Sequence, residues 1–412
     1  MGRGFLMGRG RGCFSLGKSG IIAAQAGIAD FEPERLKGEL AMHHFICPSC
    51  GQTYPADTAA FRCGCGGLFD LADPGQTLAF DTGRDLPGLW RFASALPFRG
   101  QDQAVRTLSL GEGLTPLIPW QPPGGRLWLK ADYYQPTLSF KDRGAVLLAL
   151  AAKRLGQREL LIDSSGNAGC AMAAYAARAG LVCHVFLPAA ASPGKLRQLE
   201  SYGARIHRVE GGRDAAAQAA LELAASGVYY ASHVYNPLFT EGVKTCFFEV
   251  FLQFGHQLPE IFFLPVGNGT LLLGAYRAFS QLLAGGYISA WPQVVMVQAA
   301  ACAPLAQAFA AGADAPGLTG QALPTVAEGI AIPTPPRGRQ LLQVLRQIGG
   351  EAVTVTEGEI LAAWQELALA GIFVEKTAAA SFAAYRRRLA ERPQWRERSA
   401  VLLLCGAGLK SL

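Results

Sequence analysis

The stretch LLIDSSGNAGCAMAAYAARAG, residues 160–180, decides the fold class. It begins with a short apolar run, turns through small residues at 163–166, and continues as an alanine-rich helical sequence. A buried strand that leads through a glycine turn into a helix is half of a βαβ unit, in which neighbouring strands run parallel. The stretch therefore predicts a parallel sheet with helices packed on its faces.

The same alternation of strands and helices continues along the chain. LVCHVFLP (181–188), IFFLPV (261–266) and QVVMVQA (293–299) read as buried strands next to helical sequence, and AVLLLC (400–405) reads as a last buried strand. We therefore predict an α/β fold with mostly parallel sheets. In such folds ligands bind at the carboxyl ends of the strands, so the glycine-rich turns that follow strands are where we expect the chemistry.

Composition excludes several classes of protein. The chain has 412 residues, of which 50% are hydrophobic and 17% charged, which rules out a disordered or fibrous protein. The net charge of +6 is too small to argue for nucleic-acid binding. Residues 278–313 carry no charge, but prolines and glycines interrupt them, so we expect a buried helix and strand and no membrane span.

The N-terminal segment does not resemble a secretory signal, because it lacks a long apolar region. We expect residues 1–41 to form a flexible leader, or Met42 to be the true start of translation. Residues 12–19, GCFSLGKS, match a phosphate-binding loop pattern, but no buried strand precedes them. We interpret this match as a coincidence, since the motif needs a strand before it and a helix after it.

Four of the ten cysteines lie close together in residues 42–72. Cys47 and Cys50 form one pair, and Cys63 and Cys65 form a second, tighter pair. Thiolates with this spacing on glycine-bearing turns can close a tetrahedral zinc site that is structural rather than catalytic. A zinc-ribbon-like segment with a structural zinc ion is the prediction; free cysteines or a nucleic-acid-binding ribbon are the alternatives.

Three junctions before helices carry candidate functional residues. SFKDRG (139–144) places Lys141 between an aromatic ring and a helix start, where desolvation and the helix dipole both lower a lysine pKa. DSSGNAG (163–169) and PVGNGT (265–270) are small-residue turns that let backbone N–H groups approach an anion. Each one taken alone is equally explained by an ordinary helix cap or a tight turn.

Seven motifs in order resemble the threonine synthase family of enzymes that depend on pyridoxal phosphate (PLP). The motifs are GEGLTPL (111–117), PTLSFKDRGA (136–145), SSGNAG (164–169), PVGNGT (265–270), AEGIAI (327–332), GIFVEKTAAAS (371–381) and LLLCGAGLK (402–410). The resemblance runs from about Phe45 to the C-terminus and implies the tryptophan-synthase-β-like fold, PLP fold type II.

The family's architecture supplies further expectations. It implies two three-layer α/β domains in residues 73–412, with the smaller domain inserted at approximately 153–248 and the cofactor in the cleft. It also implies a small amino-acid substrate and no nucleic-acid or membrane partner. Members are commonly homodimers, and we expect a cytoplasmic enzyme.

The resemblance also assigns roles to single residues. Lys141 corresponds to the catalytic lysine that holds the cofactor as a Schiff base, and Asn167 corresponds to the residue that hydrogen-bonds its 3′-oxygen. Cys405 falls where the family places a small polar residue against the pyridine nitrogen. The remaining candidates would bind the cofactor phosphate (Gly267, Asn268, Gly269 and Thr270) or the substrate (Ser164, Ser165, Ala168, Asn236 and Lys244).

One departure from the family pattern concerns the substrate. Members that use phosphohomoserine read like NSVNPxRLEGQKT, whereas this chain has HVYNPLFTEGVKT at 233–245, so Val234 and Phe239 replace a Ser and an Arg. A phosphate that loses a bidentate Arg binds more weakly, unless other cations such as Lys130 or Lys244 replace it. The expected reaction is conversion of O-phospho-L-homoserine and water to L-threonine and phosphate. The alternative is a PLP-dependent serine/threonine dehydratase or a β-replacement enzyme acting on another amino acid.

Overall fold

The computed structural model describes Met1 and residues 43–72, 78–80, 85–98, 103–120, 126–189, 193–317 and 323–411. All of the elements given below lie in one compact unit. The expectations for residues 1–41, for Met42 and for the pattern at 12–19 lie outside the described residues.

A small antiparallel sheet of three strands carries the N-terminal cysteines. Its strands are β1 (His44–Ile46), β2 (Thr53–Pro55) and β3 (Asp70–Leu71), in the order β2-β1-β3. The rings of Phe45 and Phe69 stack at 5.5 Å between centroids, and both side chains are buried. Such a short sheet buries little apolar area, so these aromatic contacts are an important part of what holds it together.

The largest sheet has six strands. They are β4 (Leu117–Trp120), β5 (Leu127–Lys130), β10 (Ile261–Pro265), β11 (Gln293–Ala299), β12 (Glu351–Val355) and β13 (Ala400–Leu403). The order is β12-β11-β10-β13-β5-β4, and every pair is parallel except the edge pair β4 and β5. All residues of β10 and β13 are buried, as expected for central strands that helices cover on both faces.

A second α/β layer is built on four parallel strands. They are β6 (Glu159–Ile162), β7 (Val182–Pro188), β8 (Arg205–Val209) and β9 (Tyr229–Tyr230), in the order β8-β7-β6-β9. The prediction of an α/β fold with mostly parallel sheets is confirmed. The division at approximately 153–248 stays a prediction.

Helices follow most of the parallel strands. They are α1 (Gln103–Leu108), α2 (Asp142–Arg154), α3 (Asn167–Ala179), α4 (Pro193–Ser201), α5 (Arg213–Ala225), α6 (Pro237–Gln253), α7 (Thr270–Ala284), α8 (Pro304–Ala310), α9 (Gly338–Gln347), α10 (Glu357–Leu369) and α11 (Lys376–Glu391). Short 3-10 helices span Gly88–Ala95, Glu328–Ile330, Pro393–Glu397 and Gly408–Ser411.

The uncharged stretch 278–313 forms the end of α7, strand β11 and helix α8, as the sequence predicts for core elements. Among the described residues, none of the helices is long and apolar enough to cross a membrane.

A network of buried charges anchors the first turn of α2. The Arg143 guanidinium donates to both carboxylate oxygens of Asp132, the shortest contact being 2.6 Å, and to both oxygens of Glu249 at 2.6 and 2.8 Å. Lys130 Nζ donates to the same Glu249 at 2.7 Å, and all four side chains are inaccessible to solvent. Burial alone would raise the pKa of Glu249, but the two cations hold it down at about 2. The network ties the end of β5, helix α6 and the start of α2 together.

We expect Glu249→Gln to lower the free energy of unfolding by about 3 kcal/mol, because it leaves Arg143 and Lys130 buried beside a neutral partner. Urea unfolding followed by circular dichroism measures the change. Glu366→Gln is the matched control, since Glu366 pairs with Arg386 at the surface, and it should change stability by about 0.5 kcal/mol or less. Equal effects of the two variants would contradict the anchoring role.

Candidate active site

The three predicted junctions meet in one cavity of about 860 Å³. Its walls include residues that follow β6, β9, β10 and β13, that is, the carboxyl ends of strands from both parallel sheets. Segments 194–197 and 326–336 and the start of α11 complete it. The cavity therefore lies at the carboxyl ends of strands, which is where the sequence predicts that ligands bind.

Lys141 immediately precedes α2 and faces the cavity. Its Nζ lies 3.4 Å from Thr270 Oγ1 and 4.2 Å from the centroid of the Phe140 ring. Desolvation lowers the pKa of Lys141 to about 8, although Cys405 and Glu375 oppose this shift. About a tenth of this amine is therefore neutral, and nucleophilic, at pH 7, a far larger share than for a lysine of ordinary pKa.

The turn at 267–270 forms a cradle at the start of helix α7. Gly269 has a φ of +84°, and a Cβ there would overlap the Leu341 side chain. A Cβ on Gly267 would come 2.9 Å from Gly329 O. Only glycine allows this backbone to lie so close to its neighbours, and the N–H groups at the start of a fifteen-residue helix favour an anion.

The turn at 164–169 forms a second wall of the cavity at the start of α3, where backbone N–H groups favour an anion. A Cβ on Gly169 would overlap Ser164 O, so the chain must have glycine here to close the turn. Ser164, Ser165 and Ala168 line the cavity beside Asn167. The Asn167 Oδ1 atom is buried and has no hydrogen-bond partner among the described residues. An orphaned acceptor of this kind marks a position where a ligand would supply the missing contact.

Cys405 lies two residues after β13 and also lines the cavity. Burial raises the pKa of its thiol to about 12, and the nearby Glu375 carboxylate adds to the shift. Cys405 O accepts a hydrogen bond from Phe140 N at 3.0 Å, which links this strand to the segment that carries Lys141. Cys405 therefore presents an uncharged side chain.

Two of the predicted substrate residues lie away from this cavity. Asn236 caps α6, where its Oδ1 accepts from Leu238 N at 3.0 Å and its Nδ2 donates to Tyr229 Oη at 2.7 Å. Lys244 pairs with Glu241 and lines a different cavity of about 510 Å³. The structure thus gives Asn236 and Lys244 local structural partners, and it does not place them with the other candidates.

The wall in which the family pattern has Ser and Arg is apolar here. Val234 lines the cavity, and Phe239 packs on Gly144 with its ring centroid 5.7 Å from Lys141 Nζ. Lys130, the other cation considered as a phosphate ligand, is bound in the buried network with Glu249.

Among the polar cavity residues that sequence reasoning missed are Glu375, Lys195 and His233. Glu375 belongs to the quoted motif GIFVEKTAAAS, but the motif alone does not show where its carboxylate points. His233 stands at the first position of the NSVNP pattern, so the pattern could have pointed to it as a candidate residue. Lys195 lies in a turn-like PGK sequence that carries no comparable signal.

The four N-terminal cysteines also converge. Their sulfur atoms lie within 4.8 Å of one another, with Cys47 Sγ 3.6 Å from Cys65 Sγ and Cys50 Sγ 3.5 Å from Cys63 Sγ. These distances fit four thiolates around one metal ion, and they are longer than a disulfide bond of about 2 Å.

Comparison with known families decides the classification. The sequence matches the family described as "Pyridoxal-phosphate dependent enzyme" over residues 108–406, most of the chain. The chain belongs to this family. The matched range contains Lys141 and both of the anion-binding turns.

Its relatives place it in the threonine synthase branch of these PLP-dependent enzymes. The chain is 32% identical to "Threonine synthase" of Methanosarcina acetivorans over 381 residues, which cover 90% of this chain and 92% of that protein. It is also 32% identical to "Threonine synthase" of Methanocaldococcus jannaschii, with 88% and 92% of the two chains covered. The prediction of a PLP-dependent lyase related to threonine synthase is confirmed.

Solved structures of PLP-dependent enzymes share the fold. The crystal structure of a threonine deaminase from T.th. is 28% identical, with a TM-score of 0.60 and coverage of 69% of this chain and 88% of that chain. The structure of O-ureido-L-serine synthase is 23% identical, with a TM-score of 0.61 and coverage of 72% and 90%. This second likeness concerns the fold alone.

The lowered pKa of Lys141 predicts the pH dependence of cofactor attachment. Because only the neutral amine attacks an aldehyde, the rate at which the visible band of lysine-bound PLP appears should rise with pH and level off above about 8. An ordinary lysine would keep accelerating up to a pH of about 10.4. Stopped-flow mixing of cofactor-depleted protein with PLP measures the profile, and Lys141→Ala, which should form no band, is the control. Acceleration that continues beyond about pH 10 would contradict the low pKa.

Proposed function

We propose that the protein is a PLP-dependent lyase that converts O-phospho-L-homoserine and water to L-threonine and phosphate by elimination and replacement. The observation that carries the proposal is the convergence of Lys141 and the turns at 164–169 and 267–270 in one cavity. Relatives that match the chain over about nine-tenths of its length are threonine synthases.

The cavity residues fit the cofactor. The glycine cradle at 267–270 and the helix start behind it suit a phosphate, for which Gly267, Asn268, Gly269 and Thr270 would supply the contacts. Asn167 would bind the 3′-oxygen, Cys405 would lie beside the pyridine nitrogen, and the amine of Lys141 would bond covalently to the cofactor as a Schiff base. When bound, PLP supplies an electron sink for negative charge that develops on the substrate carbon atoms.

Lys141 also moves protons in this proposal. With substrate bound, the amine of Lys141 would accept a proton from one substrate carbon and return it at another. A pKa of about 8 suits this exchange, because both protonation states are populated near neutral pH.

The other polar residues of the cavity orient the reactants. Backbone and hydroxyl groups of Ser164, Ser165 and Ala168 would hold the substrate carboxylate at the start of α3. The neutral thiol of Cys405 would not hold the ring nitrogen in its protonated form as a carboxylate does, and this would favour elimination and replacement over transamination.

A second candidate function is a serine/threonine dehydratase, or a β-replacement enzyme acting on another amino acid. The specific observation in its favour is that Val234, which lines the cavity, and Phe239, which is buried against Gly144, stand where the pattern has a Ser and an Arg, so neither position offers a substrate phosphate a polar contact. The cavity lining does include other cationic residues, among them Lys195 and Arg197, that would have to bind a phosphate ester instead.

A substrate panel separates the two candidates. With O-phospho-L-homoserine we expect release of phosphate together with threonine, measured by a phosphate assay and chromatography. With serine or threonine alone we expect little ammonia and keto acid. Ammonia and keto acid without any phosphate release from phosphohomoserine would reject the synthase in favour of a dehydratase. Lys141→Ala serves as the inactive control in both assays.

We propose further that Cys47, Cys50, Cys63 and Cys65 bind a structural zinc ion. All four sulfur atoms can reach one ion, and paired cysteines on turns of a small antiparallel sheet form a closed site. This segment would then be a zinc ribbon.

Replacing one ligand tests this site. Cys47→Ser should lower the zinc content of the purified protein several-fold, because three thiolates bind zinc more weakly than four. Atomic absorption or inductively coupled plasma spectrometry gives the measurement. Cys170→Ser, a buried cysteine outside the cluster, should leave the zinc content unchanged. Equal zinc contents in both variants would refute four-thiolate coordination.

Other features are proposals drawn from the resemblance. We propose that the four-stranded sheet and its helices form the smaller inserted domain at approximately 153–248, and that residues 42–72 form the ribbon segment. A cytoplasmic location, a homodimer and the lack of nucleic-acid and membrane partners complete this proposal.

A further inference from the structure

Glu375 has an unusual position for a helix-capping residue. It is the residue before α11 (Lys376–Glu391), yet its side chain makes no capping hydrogen bond to that helix. The side chain lines the cavity and is only 7% exposed. A carboxylate withdrawn from water at this place must have partners inside the cavity.

Its partner is Asn167. Asn167 Nδ2 donates a hydrogen bond to Glu375 Oε2 at 2.8 Å, across 208 residues of sequence. An ionised carboxylate can only accept hydrogen bonds, so it selects the amide orientation in which nitrogen faces Glu375. The other orientation would set two acceptors against each other, and its cost would be close to that of a lost buried hydrogen bond.

The surroundings hold the carboxylate in place. A Cβ on Gly406 would overlap Glu375 Oε2, so glycine is what admits the side chain beside Cys405. Lys195 Nζ lies 3.9 Å from Glu375 Oε1 and 3.6 Å from Glu328 Oε2, which are charge contacts longer than a hydrogen bond. Glu375 is therefore positioned by sterics and by charge, with Oε2 directed at Asn167.

We propose that Glu375 is a positioning residue that locks the amide of Asn167 in the orientation that meets the cofactor 3′-oxygen. The inference rests on the proposed function, because it assigns Asn167 to the cofactor. It extends that function by giving Asn167 a partner that determines which of its atoms face the ligand. The second N–H of Asn167 and its orphaned Oδ1 are what remain for the ligand.

A double-mutant cycle on cofactor affinity tests the proposal. The full-length, cofactor-loaded wild type, Glu375→Leu, Asn167→Ala and the double variant are diluted, and the loss of the visible band gives each dissociation constant. We expect each single variant to bind PLP about tenfold more weakly, as for one lost hydrogen bond. The double variant should be little weaker than either single variant, because Glu375 acts through Asn167. Losses that multiply would overturn the proposal, as would wild-type affinity in Glu375→Leu.

Two further variants separate positioning from a general structural effect. Glu375→Gln keeps an oxygen that can accept from Asn167, but its amide can also donate and so does not select one orientation; it should recover only part of the affinity lost in Glu375→Leu. Glu328→Gln removes the other carboxylate beside Lys195. The side chain of Glu328 is 77% exposed, so this variant should bind PLP with wild-type affinity. A loss in Glu328→Gln equal to that in Glu375→Leu would overturn the specific role of Glu375.

The pH dependence of the visible band gives a readout that a merely structural role would not change. The titratable groups that face Glu375 are Lys141, Cys405, Lys195, Lys410 and Cys170. Because the carboxylate favours the protonated form of the Lys141 nitrogen, its removal in Glu375→Gln should lower the pH midpoint by about one unit. An unchanged midpoint would overturn the proposed placement of Glu375 beside the lysine-bound cofactor.

The failure of this inference is distinguishable from that of the proposed function. If the wild type forms no band with PLP, both are refuted. If the wild type forms a normal band but the losses in the cycle multiply, only the role of Glu375 is refuted.

Discussion

The buried ion network around Arg143 is the constraint on which the active site depends. Arg143 lies two residues after Lys141, and its guanidinium is held by carboxylates from two other parts of the chain, Asp132 and Glu249. The charges are fully withdrawn from solvent, so any displacement would leave an uncompensated charge in the protein interior. The backbone that carries Lys141 is therefore fixed by long-range charge pairing as well as by the packing of helix α2.

The cavity combines a lysine of lowered pKa with two helix starts that favour negative charge. Desolvation makes Lys141 a better nucleophile, while the two glycine turns expose helix N-termini to anions. The two effects cooperate: a cofactor that bonds to the amine and carries a phosphate needs both within one cavity. This geometry explains why each junction is ambiguous alone and becomes specific once the two sheets bring them together.

The stretch 233–239 departs from the pattern NSVNPxR at the positions of its Ser and Arg. Phe239 packs on Gly144 and Val234 lines the wall where relatives with the NSVNPxR pattern have polar groups. Residues that hold a cofactor are constrained by backbone geometry, since a Cβ at either cradle glycine would collide with neighbours. A wall side chain can change with much less effect on the backbone, so a substitution there can alter the contacts to a substrate without disturbing the fold.

The sequence by itself determined the fold class, the cofactor family and the junctions that form part of the cavity. Short apolar runs that lead through glycine turns into helices predict parallel strands, and the carboxyl ends of such strands meet at one edge of a sheet, so Lys141, Asn167 and the turn at 267–270 could be named in advance. The convergence of the paired cysteines could also be predicted from the sequence, because spacing along the chain limits which thiols can share an ion.

Only the tertiary structure decided which side chains face the cavity from elements far apart in sequence. Asn236 and Lys244 belong to a recognisable motif, but the first is used to cap a helix and the second pairs with its neighbour Glu241. Glu375, by contrast, reaches Asn167 across 208 residues. Spacing along a chain fixes local geometry, whereas the direction of a side chain across a cleft depends on how two sheets and their helices pack. That packing is set by long-range contacts, which no local pattern encodes.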